Sequence, residues 1–162
     1  MVAERTGLSR AQARGLILAG RVHVDGSPHT KPGAGVPDSA AVVVEETARY
    51  VSRGGEKLEG ALEAFGLEVR GVRALDVGAS TGGFTDALLA HGVEHVTALD
   101  VGYGQLAWKL RNDPRVTVIE RTNVRLLPDD AFAEPFDLVT IDTSFISLRS
   151  VVPKVLRFLA TG

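Results

Sequence analysis

The chain has no cysteine, a single methionine, a single tryptophan and no long apolar run, and these shortages remove whole classes of protein. Without thiols there is no disulfide framework, no thiolate zinc site, no iron–sulfur cluster and no cysteine nucleophile. No stretch approaches the roughly 18 apolar residues that cross a bilayer, and Met1-Val-Ala-Glu-Arg5 lacks the apolar region of a signal peptide. Stable membrane insertion is therefore not expected, and a cytoplasmic location follows by default. Histidine is also scarce: of His23, His29, His91 and His95 only the last two have i, i+4 spacing, and Gly92 interrupts the helix that would present both. No metal site is expected.

What remains is a globular composition: 162 residues, 44% hydrophobic and 23% charged, enough for one domain or two small ones. The net charge of −2 argues, taken as an average, against a nucleic-acid partner. Its distribution argues the other way. Residues 1–31 hold Arg5, Arg10, Arg14, Arg21 and Lys31 against Glu4 and Asp25, whereas the chain after Lys57 has more acids than bases. A basic head on an acidic body predicts two modules with separate tasks.

In the head, Ser9-Arg-Ala-Gln12 has the capping-box pattern. It opens a helix with Ala13, Leu16 and Ile17 on one face, Arg10 and Arg14 on another, and a stop at Gly20. Arg21 to Val24 reads as a strand, Asp25-Gly26 as a tight hairpin turn, and Ala41 to Val44 as a returning strand. Pro28, Pro32, Gly33, Gly35 and Pro37 mark irregular turns between them. The module takes in residues 1–45, residues 46–52 read as a linker, and residues 53–162 form the second domain.

In that second domain the strand candidates are Arg73–Val77, His95–Leu99, Val116–Ile119 and Phe136–Ile141, with helical segments between them. Alternation of this kind predicts an α/β fold, a parallel sheet wound on both faces in the Rossmann-like manner. Asp76-Val-Gly-Ala-Ser-Thr-Gly-Gly-Phe-Thr-Asp86 then falls between the first strand and a helix that ends near Gly92, at a sheet edge where nucleotides bind. A dinucleotide fingerprint would need a glycine where Ser80 stands. Acid-x-Gly with small residues and the later pair Gly82-Gly83 resembles instead the first motif of S-adenosylmethionine-dependent methyltransferases. Asp76, Gly78, Ser80, Thr81, Gly82, Gly83 and Phe84 are the candidate cofactor contacts in this loop, with the Asp76 carboxylate near the cationic end of the ligand. Asp100 closes the second strand, eighteen residues after Gly82, where a carboxylate can accept both ribose hydroxyls. Asn123 follows the third strand, placed either to contact adenine or to form a turn.

Two further segments give the resemblance its detail. Tyr50-Val-Ser-Arg-Gly-Gly-Glu-Lys57-Leu opens a helix that runs to Phe65, and Asp142-Thr-Ser-Phe-Ile-Ser147 follows the fourth strand without the proline-rich sequence of amine methyltransferases. The head sequence S-R-A-Q-A-R-G-L-I-L-A-G-R-V-H-V-D-G resembles the RNA-binding module of the small-subunit ribosomal protein uS-four family. All four segments, in this order, resemble the TlyA family, which joins that module to an FtsJ-like methyltransferase domain. The resemblance implies S-adenosylmethionine as cofactor, ribosomal RNA or a ribosomal subunit as partner, and methylation of ribose 2′-hydroxyls. It places Arg10, Arg14, Arg21 and Lys31 on RNA phosphates, and Lys57 and Asp142 on the first lysine and the aspartate of a Lys-Asp-Lys-Glu catalytic set. A ribose hydroxyl is a poor nucleophile near neutral pH, so a lysine of lowered pKa as base and an orienting carboxylate suit the reaction.

The sequence departs from the family's pattern at both ends. The head's first helix looks clipped. After a helix over residues 150–159 the chain reaches Gly162 without the strands that would carry the second lysine and the glutamate, and Lys154 lies in the wrong element to replace them. An incomplete form of a longer protein is expected, inactive or nearly so by itself, with its fourth strand an open edge. The competing readings are an RNA-binding protein with a silent methyltransferase fold, a haemolysin-type membrane-active protein and a nicotinamide oxidoreductase.

Overall fold

The computed structural model describes residues 3–4, 9–18, 20–44, 49–144 and 146–160, apart from the side chain of Gln12. The chain divides into two compact units, Met1–Thr47 and Ala48–Gly162. The helix expected before Ser9 and residues 46–48 of the linker lie mainly or wholly outside the described residues. Among those described, no helix is long and apolar enough to cross a membrane.

In the smaller unit, helix α1 (Arg10–Leu18) starts directly after Ser9, whose carbonyl accepts from the Ala13 N–H at 2.9 Å. Gly20 stops it at φ 70°, where L side chains rarely sit. The Gly20 N–H donates to the Ile17 carbonyl and the Arg21 N–H to that of Leu16, the bond pair of a Schellman ending. Strand β1 (Val22–Val24) turns through Asp25 and Gly26, both left-handed, into β2 (Ser27–Pro28), as a type I′ hairpin requires. Strand β3 (Val42–Val44) pairs antiparallel with the other edge of β1. Asp25 fixes where it joins, because its Oδ1 accepts from the Ala41 N–H at 2.8 Å. Ala13, Ile17 and Val22 form the small core.

The larger unit begins with helix α2 (Arg53–Phe65), which ends at left-handed Gly66. It continues through β4 (Arg73–Val77), α3 (Gly83–Ala90), β5 (His95–Leu99), the short α4 (Trp108–Arg111), β6 (Val116–Ile119), β7 (Leu138–Ile141) and α5 (Leu148–Val155). The strands are all parallel in the order β6-β5-β4-β7. Alternation along them feeds two cores. Ala74, Val96 and Ala98 join Leu58, Leu62 and Leu88 on one face, and Leu75, Val77 and Leu99 join Val151, Val155 and Phe158 on the other. Burial on both faces is the normal condition of a parallel sheet.

Two boundaries differ from expectation. β7 starts at Leu138 because Phe136 is diverted: its N–H donates to the Phe158 carbonyl and its own carbonyl accepts from Ala160, in a parallel bridge with Leu159. The start of the β7 edge is thus engaged by the chain that follows α5. That helix opens at Leu148, with the Ser147 hydroxyl accepting from the Arg149 N–H, and tightens into a 3₁₀ turn over Leu156–Phe158.

Helices α2 and α3 start against one another. A Cβ on Gly83 would come within 2.3 Å of Ser52 Oγ and 2.9 Å of the Gly55 nitrogen. Gly83→Ala is therefore expected to destabilise the chain by about 1–3 kcal/mol through forced separation of the helix starts. Gly60, in the middle of α2, has nothing within 4 Å of a built Cβ, so Gly60→Ala is expected to be stabilising by about 0.5–1 kcal/mol. Urea midpoints at unchanged m-value provide the comparison. Equal effects of the same sign would refute the packing argument.

Candidate active site

The chain builds β5 and β6 to one side of β4 and then returns to place β7 on the other, so the segments leaving β4 and β7 diverge and open a crevice at the carboxyl edge. Gly78 and Asp142 stand where they part. The Gly78 N–H donates to the Leu99 carbonyl at 2.8 Å and the Asp142 N–H to that of Val77 at 3.0 Å. Gly78 has φ 86°, and a Cβ there would lie 2.6 Å from the Asp142 carbonyl oxygen. Conformation and space both demand glycine.

The following turn directs its amides at a carboxylate. Ser80 takes φ 48°, uncommon for a residue with a side chain, and its N–H donates to Asp100 Oδ2 at 2.8 Å, while the Gly102 N–H donates to Oδ1 at 2.6 Å. Asp100 is thereby fixed with lone pairs left on both oxygens. Thr81 accepts from the Ala107 N–H at 3.1 Å. Gly82, at φ 96°, sits against Leu106 and Leu110, and Gly83 and Phe84 begin α3.

Two cavities flank this turn. The first, about 350 Å³, is lined by Gly78, Ser80, Asp100, Asn123, Thr143 and Asp142 among others, a size that suits a small ligand. The second, about 220 Å³, lies between Ser52, Gly54, Thr81, Gly83, Phe84 and Asp142. They share Gly78, Ser80, Asp142 and Ser144. Thr143, a lining residue of the first cavity, has its Oγ1 buried without a hydrogen-bond partner among the described residues. Asn123 does form a turn: its Oδ1 accepts from the Arg125 N–H at 3.1 Å and opens a 3₁₀ turn, while the residue lines the cavity.

Lys57 comes from the first turns of α2 and donates to Asp142 Oδ1 at 2.7 Å, with its Nζ 5.5 Å from the Phe84 ring centroid. Both members of the pair are open to solvent. Lys154 lies elsewhere, donating to Asp129 at 2.8 Å.

Asp76 does not face either cavity, contrary to the ligand contact expected of it. It is fully buried, and its oxygens accept from Thr85 Oγ1 at 2.7 Å and Thr140 Oγ1 at 3.1 Å. Thr140 is its register partner on β7. Period-two alternation turns Asp76 to the same face as Ala74, toward α3, where a side chain of β4 cannot reach the loop's mouth. Sequence reasoning also missed Asp86, which accepts from the Val51 N–H and from Lys109, both at 2.8 Å, and so ties the approach to α2 onto α3. An acid closing the glycine-rich run was the available signal. Ser52, Thr143 and Ser144 gave none.

In the smaller unit Arg10 and Arg14 line a cavity of about 360 Å³ together with Glu4 and His29. Lys31 is exposed one residue before its wall, and Arg21, half-buried at the start of β1, is not part of it.

Comparison with known proteins agrees with this layout. The FtsJ-like methyltransferase family model matches residues 50–160, and the S4 domain model matches residues 2–42. The 16S/23S rRNA (cytidine-2'-O)-methyltransferase TlyA of Mycobacterium tuberculosis is 58% identical over 153 residues, covering 92% of this chain and 57% of the relative. Hemolysin A of Brachyspira hyodysenteriae is 45% identical over 152 residues, covering 93% of this chain and 63% of the relative. A solved Streptococcus thermophilus protein named for hemolysin superposes with TM-score 0.69 at 43% identity, covering 95% of this chain and 57% of its own. The chain spans little more than half the length of these relatives.

Burial pushes the Asp76 carboxyl up to about 6, against the opposing pull of its hydroxyl and amide donors. A carboxyl that holds its proton more tightly when folded contributes most below its unfolded pKa. Its contribution falls as pH rises from about 4 to about 6 and stays about 3 kcal/mol lower above that. Asp76→Asn is expected to remove this decline, so that the variant gains on the parent by up to about 3 kcal/mol between pH 4 and 7. Urea midpoints across that range test it, and parallel curves for the two proteins would contradict it.

Proposed function

The chain belongs to the FtsJ-like methyltransferase family, and from that membership we propose that its larger unit binds S-adenosylmethionine and serves 2′-O-methylation of ribose in ribosomal RNA, the activity that the relatives' names carry. The observation that supports this reading best is the Lys57–Asp142 pair at the boundary shared by the two cavities. A nucleoside fits the first, with its ribose hydroxyls on Asp100 and its base toward Asn123. An amino-acid end fits the second, where the starts of α2 and α3 converge and the positive ends of the helix dipoles favour a carboxylate.

When bound, the cofactor supplies an activated methyl group on a sulfonium. The chain's own residues do the rest. Asp142 accepts a hydrogen bond from the ribose hydroxyl and fixes its direction, and Lys57 holds Asp142 in place while adding positive charge where the attacking oxygen becomes anionic. In the smaller unit Arg10, Arg14, Arg21 and Lys31 contact RNA phosphates, which fixes position without reading sequence.

Calorimetry on the whole chain is expected to show one site for S-adenosylmethionine and none for NAD, with Asp100→Asn at least about ten-fold weaker, the effect of losing charge-assisted bonds to a ribose. Binding of NAD alone would overturn the cofactor assignment. For the RNA arm, Arg10→Ala with Arg14→Ala is expected to weaken binding of a structured ribosomal RNA fragment and to lower the log–log salt slope by about 2. An unchanged slope would remove these arginines from the interface.

A further inference from the structure

Asp100 is held by the Ser80 and Gly102 amides, and the loop that supplies the second of these is not fixed by burial. Val101 and Tyr103 are exposed, and Gly104 takes a left-handed φ of 69°. Its fixed points come instead from the two residues that follow β6. The Arg121 N–H donates to the Gly102 carbonyl at 2.9 Å, and the Arg121 guanidinium lies 4.1 Å from the centroid of the Tyr103 ring. The Gly104 N–H donates to Glu120 Oε1 at 2.9 Å.

Glu120 is the enclosed member of this set. Alternation places it on the face of β6 where Val116 and Val118 pack with Leu106 and Leu110, and its side chain is only 11% exposed. The oxygen that accepts from Gly104 also accepts from Arg111 Nη2, at the end of α4. A carboxylate so enclosed needs a cation, and Arg111 provides it. Glu120 and Asp100 both line a gap of about 10 Å³, together with Gly102 and Gln105. That gap holds at most one water. Asp100 also lines the first cavity, whereas Glu120 and Arg111 do not.

We propose that Glu120, neutralised by Arg111, is a positioning residue for the cofactor: by holding Gly104 it sets the loop so that the Gly102 N–H fixes Asp100 in the orientation that accepts the ribose hydroxyls. The inference rests on the cofactor reading above, which puts the ribose on Asp100. Glu120 makes no contact with the ligand itself. Its effect on affinity comes from ordering the Asp100 carboxylate before the ribose arrives, so that binding does not have to supply that order.

The test is a double-mutant cycle read by calorimetric titration of the whole chain with S-adenosylmethionine. Glu120→Ala is expected to weaken binding about five-fold, and Arg111→Met, which leaves the carboxylate without its ion-pair partner, to do nearly the same. Glu120→Gln keeps an oxygen for the Gly104 amide and is expected to stay within about two-fold of the parent. In an Asp100→Ala background neither Glu120→Ala nor Arg111→Met is expected to weaken binding further, because the group they position is gone. Urea midpoints identify a variant that does not fold, and if Glu120→Ala is one, the cycle is read from Arg111→Met. If the folded variants bind as the parent does, or lose affinity by the same factor with and without the Asp100 carboxylate, Glu120 is a structural residue only and the proposal fails alone. If the parent does not bind S-adenosylmethionine, the cofactor reading fails and this inference falls with it.

Discussion

The parallel pairing of β4 with β7 is the constraint on which the larger unit depends. Sixty-four residues separate Asp76 from its register partner Thr140, and between them the chain travels through two strands on the far side before coming back. Only that return makes the loops after β4 and β7 diverge. Gly78 then lies so near the Asp142 carbonyl that no side chain fits, and the Asp142 N–H is held by Val77. The crevice, its glycine and its carboxylate are three consequences of one strand order.

Around that crevice, residues of one type have been given different chemistry by their surroundings. Asp86 is anchored by an amide and a lysine, which couples the turn before α2 to the start of α3. Asp100 accepts two amides and still faces the cavity. Asp142 shares its charge with Lys57 in the open, and Asp76 is enclosed. Solvation and partners, rather than residue identity, separate the anchored and enclosed carboxylates from those that line a cavity.

Much of this was readable because it obeys local rules. β4, β5 and β6 fall at the residues expected from apolar runs, the Asp25-Gly26 turn follows from its dipeptide, and α2 stops at Gly66 as a left-handed cap should. What was not readable depends on distant partners. Asp76 looked like a ligand contact because its motif is linear, yet the face on which it lies is set by β7 and α3, which supply its two threonines. Phe136 looked like the start of a strand until Leu159 claimed it. Lys57 on spacing alone is an ordinary helix lysine, and only the return of Asp142 gives it a partner.

The residues at the junction also break local rules, which is informative about why they are there. Ser80 adopts a left-handed backbone that glycine would take at lower cost, and by doing so aims its amide at Asp100. Lys57 puts a cation into the first turns of α2, the end of a helix where the macrodipole disfavours positive charge, and is held there by Asp142 and the face of Phe84. Asp76 buries a charge that neutral donors cannot cancel. Any one of these conflicts would be unremarkable in a folded chain. Three of them around the same pair of loops, in a sheet whose strands and helices otherwise follow propensity and burial, are hard to attribute to packing, because an apolar or neutral residue would serve packing better at each position. Each conflict instead fixes a group close to the loops after β4 and β7: the Ser80 amide on Asp100, Lys57 on Asp142, and Asp76 between Thr85 and Thr140.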